Sequence, residues 1–101
     1  MPNFVEVAKV ADIRAGEGKV VNVKGTPVAL FNVDGNFHAM SNTCLHMGGP
    51  LGEGFLEGKK VTCPWHGWEY DVSTGICELS GAKVASYKVK VEEGKVLVAI
   101  D

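Results

Sequence analysis

Two short segments, Cys44-Leu45-His46 and Cys63-Pro64-Trp65-His66, each carry one thiol and one imidazole, and sixteen residues separate them. Thiolate and imidazole are ligands for transition metals. If all four serve one centre, two loops must meet at one place and stay there. That requirement constrains the fold more than any other feature, because the remaining residues must build a rigid frame that delivers both loops to the same end. The spacings permit it. Cys44 and His46 can reach one site from an extended loop, and the turn containing Pro64 closes the step from Cys63 to His66.

The frame reads as all-β. The 13 glycines are spaced as turn punctuation. Phe4-Val5-Glu6-Val7 alternates as a first strand. Ala11 to Glu17 reads as a loop or one helical turn, closed by Gly16 and Gly18. Lys19 to Val23 is a short β-branched run, Lys24-Gly25-Thr26 a turn, and Pro27 opens the next strand, where its missing N–H is tolerated. Val28 to Val33 is mostly apolar, as in a strand buried on both faces. Asp34-Gly35-Asn36 is a hairpin signal that returns Phe37 to Met40.

From Ser41 to Gly54 the periodicity disappears. Phe55-Leu56-Glu57 and Lys60-Val61-Thr62 then flank Gly58-Lys59 as a tight hairpin that delivers Cys63. A short strand lies around Trp68 to Asp71, Ser73-Thr74-Gly75 is a turn, and Leu79 to Lys83 is a loop. Ala85 to Val91 and Lys95 to Ile100 pair across Glu92-Glu93-Gly94. The expected architecture is about nine short strands in a β-sandwich or small barrel. It is one domain, residues 1–101, with a scaffold of about 1–41 and 72–101. A ligand-bearing subdomain of about 42–71 is expected as an insertion at one end, since functional loops concentrate on rigid sheet scaffolds.

The totals narrow the function. Net charge is −2 and the pI about 5.9, with no Lys/Arg block, which makes nucleic acid and anionic membranes poor partners. No apolar run approaches the roughly 20 residues of a membrane span. Met1-Pro2-Asn3-Phe4 lacks the pattern of a secretion signal. Three cysteines are an odd count, unsuited to a disulfide scaffold and suited to a reducing compartment. The expectation is a cytoplasmic monomer.

Two cysteines and two histidines leave structural zinc and an iron–sulfur cluster both open. Structural zinc sites more often pair Cys with Cys and His with His along the chain. Here each loop offers one of each. If each loop gives one ligand to each of two ions, one ion receives two thiolates and the other two imidazoles, the ligation of a Rieske 2Fe-2S centre.

The chain resembles the Rieske family in more than this spacing. Gly67 follows the last ligand and Tyr70-Asp71 stand close behind. Asn42-Thr43 precede the first ligand, Gly48-Gly49-Pro50 follow it, and Thr74-Gly75 occupy the next turn. The resemblance covers most of the chain. It implies one Rieske-type 2Fe-2S cluster held by Cys44, His46, Cys63 and His66, with Gly48, Gly49, Trp65, Trp68 and Tyr70 around it. His46 and His66 are then expected at the exposed tip as the electron exit, with a potential that becomes pH-dependent in alkali.

Departures from the family's high-potential members refine the expectation. Those members carry a membrane helix and two further cysteines joined as a disulfide. The corresponding positions here are Gly49 and Trp65, so that disulfide is absent. Trp68 stands where a hydroxyl often donates to the cluster, while Tyr70 is retained. Fewer donors make an added electron less welcome, placing the potential toward the low end of the Rieske range, around −150 mV. Oxygenases of the family need a second, iron-bearing catalytic domain, for which no residues remain. The remaining resemblance is to the ferredoxins of aromatic-ring dioxygenase systems. It implies a non-enzymatic carrier that accepts electrons from an NAD(P)H-dependent flavoprotein reductase and donates them to a terminal ring-hydroxylating oxygenase. An alternative is the small subunit of an NAD(P)H nitrite reductase-like enzyme.

The remaining chemistry-bearing residues have plainer readings. Trp65 and Trp68 either shield the cluster or form a docking patch, and Leu45 and Met47 form an apolar rim. Cys77 reads as a small buried hydrophobe and His38 as a surface or satisfied residue. Glu53, Glu57, Glu69 and Asp71, opposed by Lys59 and Lys60, either steer a partner or, more plainly, are solvated turn charges. Ser80-Gly81-Ala82 replaces a loop that often carries proline in the family, which implies a looser cover there.

Overall fold

A computed structural model describes residues 4–43, 50–64, 67–78 and 80–99. Among these, the chain forms nine strands: β1 Phe4–Lys9, β2 Gly18–Val23, β3 Thr26–Val33, β4 Asn36–Ser41, β5 Phe55–Glu57, β6 Lys60–Thr62, β7 Glu69–Asp71, β8 Ser86–Glu92 and β9 Lys95–Ala99. Every expected strand is present to within one or two residues at its ends. The one helical turn falls at Val10–Asp12, one residue earlier than the Ala11–Glu17 reading. A second 3-10 turn, Leu51–Glu53, lies in a stretch that read as featureless loop.

The strands form two sheets. A six-stranded antiparallel sheet has the order β1-β9-β8-β4-β3-β2, and a three-stranded sheet the order β5-β6-β7. The larger sheet curls so that its outer strands β1 and β2 approach one another, giving a barrel-like scaffold. The small sheet comes from the chain between β4 and β8, which are themselves paired through Ala39–Tyr87 and Met40–Ser86.

Three hairpins use the same turn chemistry. Lys24-Gly25, Asp34-Gly35 and Glu93-Gly94 each place both central residues at positive φ, between 49° and 92°. Such turns match the right-handed twist of the flanking strands. Glycine in second place removes the Cβ penalty at one of the two positions.

Strand β3 is the axis of the molecule. All six residues from Val28 to Val33 are buried, as the unbroken apolar run implied. Its alternation assigns them to two cores. Val28 and Leu30 point into the scaffold interior with Val21, Val23, Ala39, Val96 and Val98. Ala29, Phe31 and Val33 face the other way, packing with Leu51, Val61, Cys63, Tyr70, Val72, Cys77 and Val84. The second core therefore joins the scaffold to the small sheet, and burial there at about 25 cal/mol per Å2 of apolar surface holds the two sheets together.

The buried polar side chain on β3 is Asn32, which is fully used. Its Nδ2 donates to Ile13 O at 2.8 Å, its Oδ1 accepts from Gly35 N–H at 2.7 Å, and its backbone bonds Glu17 and Gly16. It ties the loop after β1 to the β3–β4 hairpin.

Candidate metal centre

Each ligand segment leaves a sheet and returns to it through a closed neck. The first lies between β4 and the Leu51–Glu53 turn. Leu51 N–H donates to Asn42 O at 2.8 Å, Gly52 N–H to Asn42 Oδ1 at 2.7 Å, and Thr43 pairs with Pro50 as an isolated bridge. The second lies between β6 and β7 and is closed by Cys63 N–H donating to Trp68 O at 2.8 Å. Gly67 in this loop has φ +73°, a left-handed conformation that favours glycine. The necks lie at the end of β4, and at the end of β6 and the start of β7.

Of the four ligands read from the sequence, Cys63 is described. It follows β6 directly and is 2% exposed, its side chain part of the core shared by the two sheets. Cys44, His46 and His66 lie outside the described residues, as do Gly48, Gly49, Trp65, Leu45 and Met47. Trp68 is half-buried and packs on the same core, and Tyr70 is fully buried within it.

The loop behind the second neck is tied to β7 and to itself by backbone bonds. Tyr70 pairs with Cys77 and Ile76 with Lys83 as isolated bridges. Cys77 N–H donates to Ala82 O and Gly81 N–H to Cys77 O, so the exposed turn at Ser80, Gly81 and Ala82 is anchored on a fully buried residue. Cys77 is the buried hydrophobe its sequence context suggested.

The acidic residues around the necks are solvated. Glu53, Glu69 and Glu78 are exposed, and a shallow cleft of about 250 Å3 lined by Gly67, Trp68, Glu69 and Glu78 borders the second loop. Lys60 Nζ lies 3.1 Å from Glu78 Oε2, and that bond raises the Lys60 pKa. Such exposed pairs add little stability. Asp71 is held below the ordinary carboxylate range, chiefly by the Ser73 hydroxyl at 2.5 Å. Phe55, read from the sequence only as a strand residue, is a 76% exposed aromatic on edge strand β5, opposite Thr62. Two-fold alternation could not reveal this, because a three-residue strand is too short to show which face is covered.

His38 lies at the seam between the sheets rather than on open surface. It lines clefts with Val72, Ser73 and Tyr87 on one side and with Lys59 and Lys90 on the other. Burial lowers its pKa first, Lys59 lowers it further, and Asp71 opposes both. The folded state thus disfavours the imidazolium relative to the unfolded chain, whose value is about 6.5. Unfolded molecules bind more protons as pH falls through that value, so stability is full above it and declines below it. We predict that denaturant midpoints fall between pH 7 and 5, and that His38→Gln flattens this part of the profile. An equally steep decline in the variant would rule out His38 as its cause.

A protein that presents a buried cysteine at the neck of a closed loop, on an all-β scaffold, has the form of a small iron–sulfur domain. Comparison with known proteins agrees. The Rieske [2Fe-2S] domain family matches residues 3–97, and the chain belongs to that family. Its cofactor is accordingly a Rieske-type 2Fe-2S cluster. It is 34% identical to the ferredoxin component of the naphthalene 1,2-dioxygenase/salicylate 5-hydroxylase systems of Ralstonia sp, over 98% of this chain and 97% of that one. The ferredoxin of carbazole 1,9a-dioxygenase from Nocardioides aromaticivorans superposes with a TM-score of 0.91 at 28% identity, covering 98% and 99% of the two chains. A chain in a complex of reduced oxygenase and oxidized ferredoxin in carbazole 1,9a-dioxygenase superposes with a TM-score of 0.88. It is 34% identical, with coverage of 95% and 92%.

The described residues fit the cluster. A thiol as buried as that of Cys63 is either an inert hydrophobe or a metal-bound thiolate, and its place at the mouth of a closed loop suits the second role. Among the described residues no helix is long and apolar enough to cross a membrane.

Proposed function

We propose that this protein is a soluble, cytoplasmic one-electron carrier. It docks transiently with an NAD(P)H-dependent flavoprotein reductase, then with a terminal ring-hydroxylating oxygenase, and remains monomeric between encounters. The observation that carries this reading is the near end-to-end relation to a dioxygenase-system ferredoxin, at 98% and 97% coverage.

In this reading Cys44, His46, Cys63 and His66 hold the cluster, and the chain between about 42 and 71 is the cluster-binding subdomain. When bound, the cluster accepts and releases one electron. The protein's own part is to hold the ligands and limit reorganisation. The Cys63–Trp68 bond fixes the second loop. Tyr70 lies in the same core as Cys63, and Trp68 packs against that core. The first loop rests on Asn42. With Trp68 in place of a hydroxyl donor, the potential is expected near the low end of the Rieske range, around −150 mV.

Purified protein should be red-brown with two irons and two sulfides per chain, as a 2Fe-2S cluster requires. It should cycle by one electron and restore product formation in a mixture of flavoprotein reductase and ring-hydroxylating oxygenase that lacks its ferredoxin. A colourless protein with one zinc would overturn the cluster assignment. A coloured protein that cycles but never supports an oxygenase would overturn the assigned partner.

A further inference from the structure

We propose that Asn42 is a positioning residue for the first ligand loop. The inference rests on the assignment of Cys44 and His46 as cluster ligands. Asn42 accepts twice from the returning chain: its backbone oxygen from Leu51 N–H at 2.8 Å and its Oδ1 from Gly52 N–H at 2.7 Å. Its own N–H donates to Pro27 O at 3.4 Å, tying the same residue to β3. One residue therefore fixes where the loop leaves the scaffold, where it returns, and the separation between the two points. Among the described residues, the neck of the second ligand loop is closed by the backbone bond from Cys63 to Trp68, and that of the first by the Asn42 side chain as well as by backbone.

The surroundings leave this clamp little freedom. Gly52 is buried, so its N–H cannot turn to water if the Asn42 amide is removed, and a buried N–H without a partner is costly. A Cβ at Gly52 would stand 2.7 Å from Val20 Cγ2 and 3.0 Å from Asn42 Oδ1. Across the contact, a Cβ at Gly18 would stand 2.5 Å from the Phe31 ring and 3.3 Å from Gly52 O. Two glycines thus let the Leu51–Glu53 turn lie directly on β2, which holds Gly52 within reach of Asn42. Groups that orient metal ligands without touching the metal typically change metal affinity by 10–100-fold when removed.

The test uses the full chain with its cluster. Asn42→Ala removes the side-chain acceptor, whereas Asn42→Asp keeps an oxygen in place for Gly52 N–H. Val98→Ala, deep in the scaffold interior and remote from both necks, lowers overall stability without altering either loop. Cluster bleaching by chelator is followed well below the melting temperature, with the reduced-state EPR spectrum recorded for each protein. Asn42→Ala is expected to bleach at least about tenfold faster, with broadened EPR lines. Asn42→Asp is expected to bleach at the wild-type rate with sharp lines, and Val98→Ala to match the wild type in both. If Asn42→Ala yields no loaded protein, recovery of loading in Asn42→Asp supports the proposal. Wild-type bleaching and lines in Asn42→Ala would overturn it, as would equal defects in Ala and Asp, or acceleration in Val98→Ala as large as in Asn42→Ala. A wild-type protein with no cluster at all would instead overturn the metal-centre assignment on which the proposal rests.

Discussion

Cys63→Ala is expected to abolish cluster binding, taking iron from about two per chain to near zero, while Cys77→Ala keeps it. The two cysteines make a controlled comparison. Both are buried, at 2% and 0% exposure, in the same core. Truncating either thiol leaves a cavity of similar size, with a cost of about 1–2 kcal/mol by analogy with other large-to-small core changes. They differ in where the chain goes next. Cys63 follows β6 and opens the loop closed by Trp68 O, whereas Cys77 bridges backward to Tyr70 and anchors the turn at Gly81 and Ala82. Serine at position 63 does not rescue the loss, because a hydroxyl does not ionise near neutral pH and is a harder ligand than the thiolate. Absorption in the visible region and iron analysis read the outcome directly. Iron retained by Cys63→Ala, or lost from Cys77→Ala, would overturn the ligand assignment.

The same contrast shows what the amino-acid sequence makes legible. The spacing of Cys44, His46, Cys63 and His66 sets Cys77 apart from the proposed ligands, because a ligand pair within one loop is a local pattern written in the chain. Hairpins were equally legible. Asp34-Gly35 is a local turn signal, and positive φ at both residues is what it encodes. The unbroken run from Val28 to Val33 implied burial on both faces, and β3 divides its side chains between two cores.

Long-range features were not legible. Asn42 reads as a polar residue before a ligand, and only the approach of Gly52, ten residues on, reveals a clamp. Gly18 and Gly52 read as turn glycines, yet their use is close contact between two segments. His38 reads as a surface or satisfied histidine, and its half-cover is not legible because the sheet that carries Lys59 and Asp71 arrives twenty or more residues later. The 76% exposure of Phe55 depends on which sheet edge is left open. Each of these depends on how two sheets dock, and no periodicity within one strand carries that information.

Gly54→Ala is expected to be among the most damaging single-methyl changes in the chain. Its backbone, at φ −77° and ψ 179°, is extended and open to any residue, so conformational preference is not the constraint. Space is. A Cβ at Gly54 would overlap the Thr62 backbone oxygen, and would stand 3.0 Å from Val61 Cγ2 and 3.1 Å from Thr62 C. The obstacle is main chain, which cannot swing aside as a side-chain tip can. Either β5 lifts from β6, breaking the Phe55–Thr62 pairing, or Thr62 moves and carries Cys63 with it. Overpacking of this kind typically costs about 1–3 kcal/mol, sometimes more. In a domain of this size each kcal/mol lowers the melting temperature by about 4–8 °C, so a fall of roughly 10–20 °C is expected, with broadened EPR lines as the second ligand loop is displaced. The neighbouring Phe55→Ala, at a 76% exposed position, is expected to change stability by less than about 0.5 kcal/mol. Thermal melts of the two variants side by side separate crowding at Thr62 from general damage to the β5 edge. A Gly54→Ala melting point within two or three degrees of the wild type would mean that the β5–β6 hairpin can shift cheaply, and that Cys63 is not held as rigidly as the Thr62 contact requires.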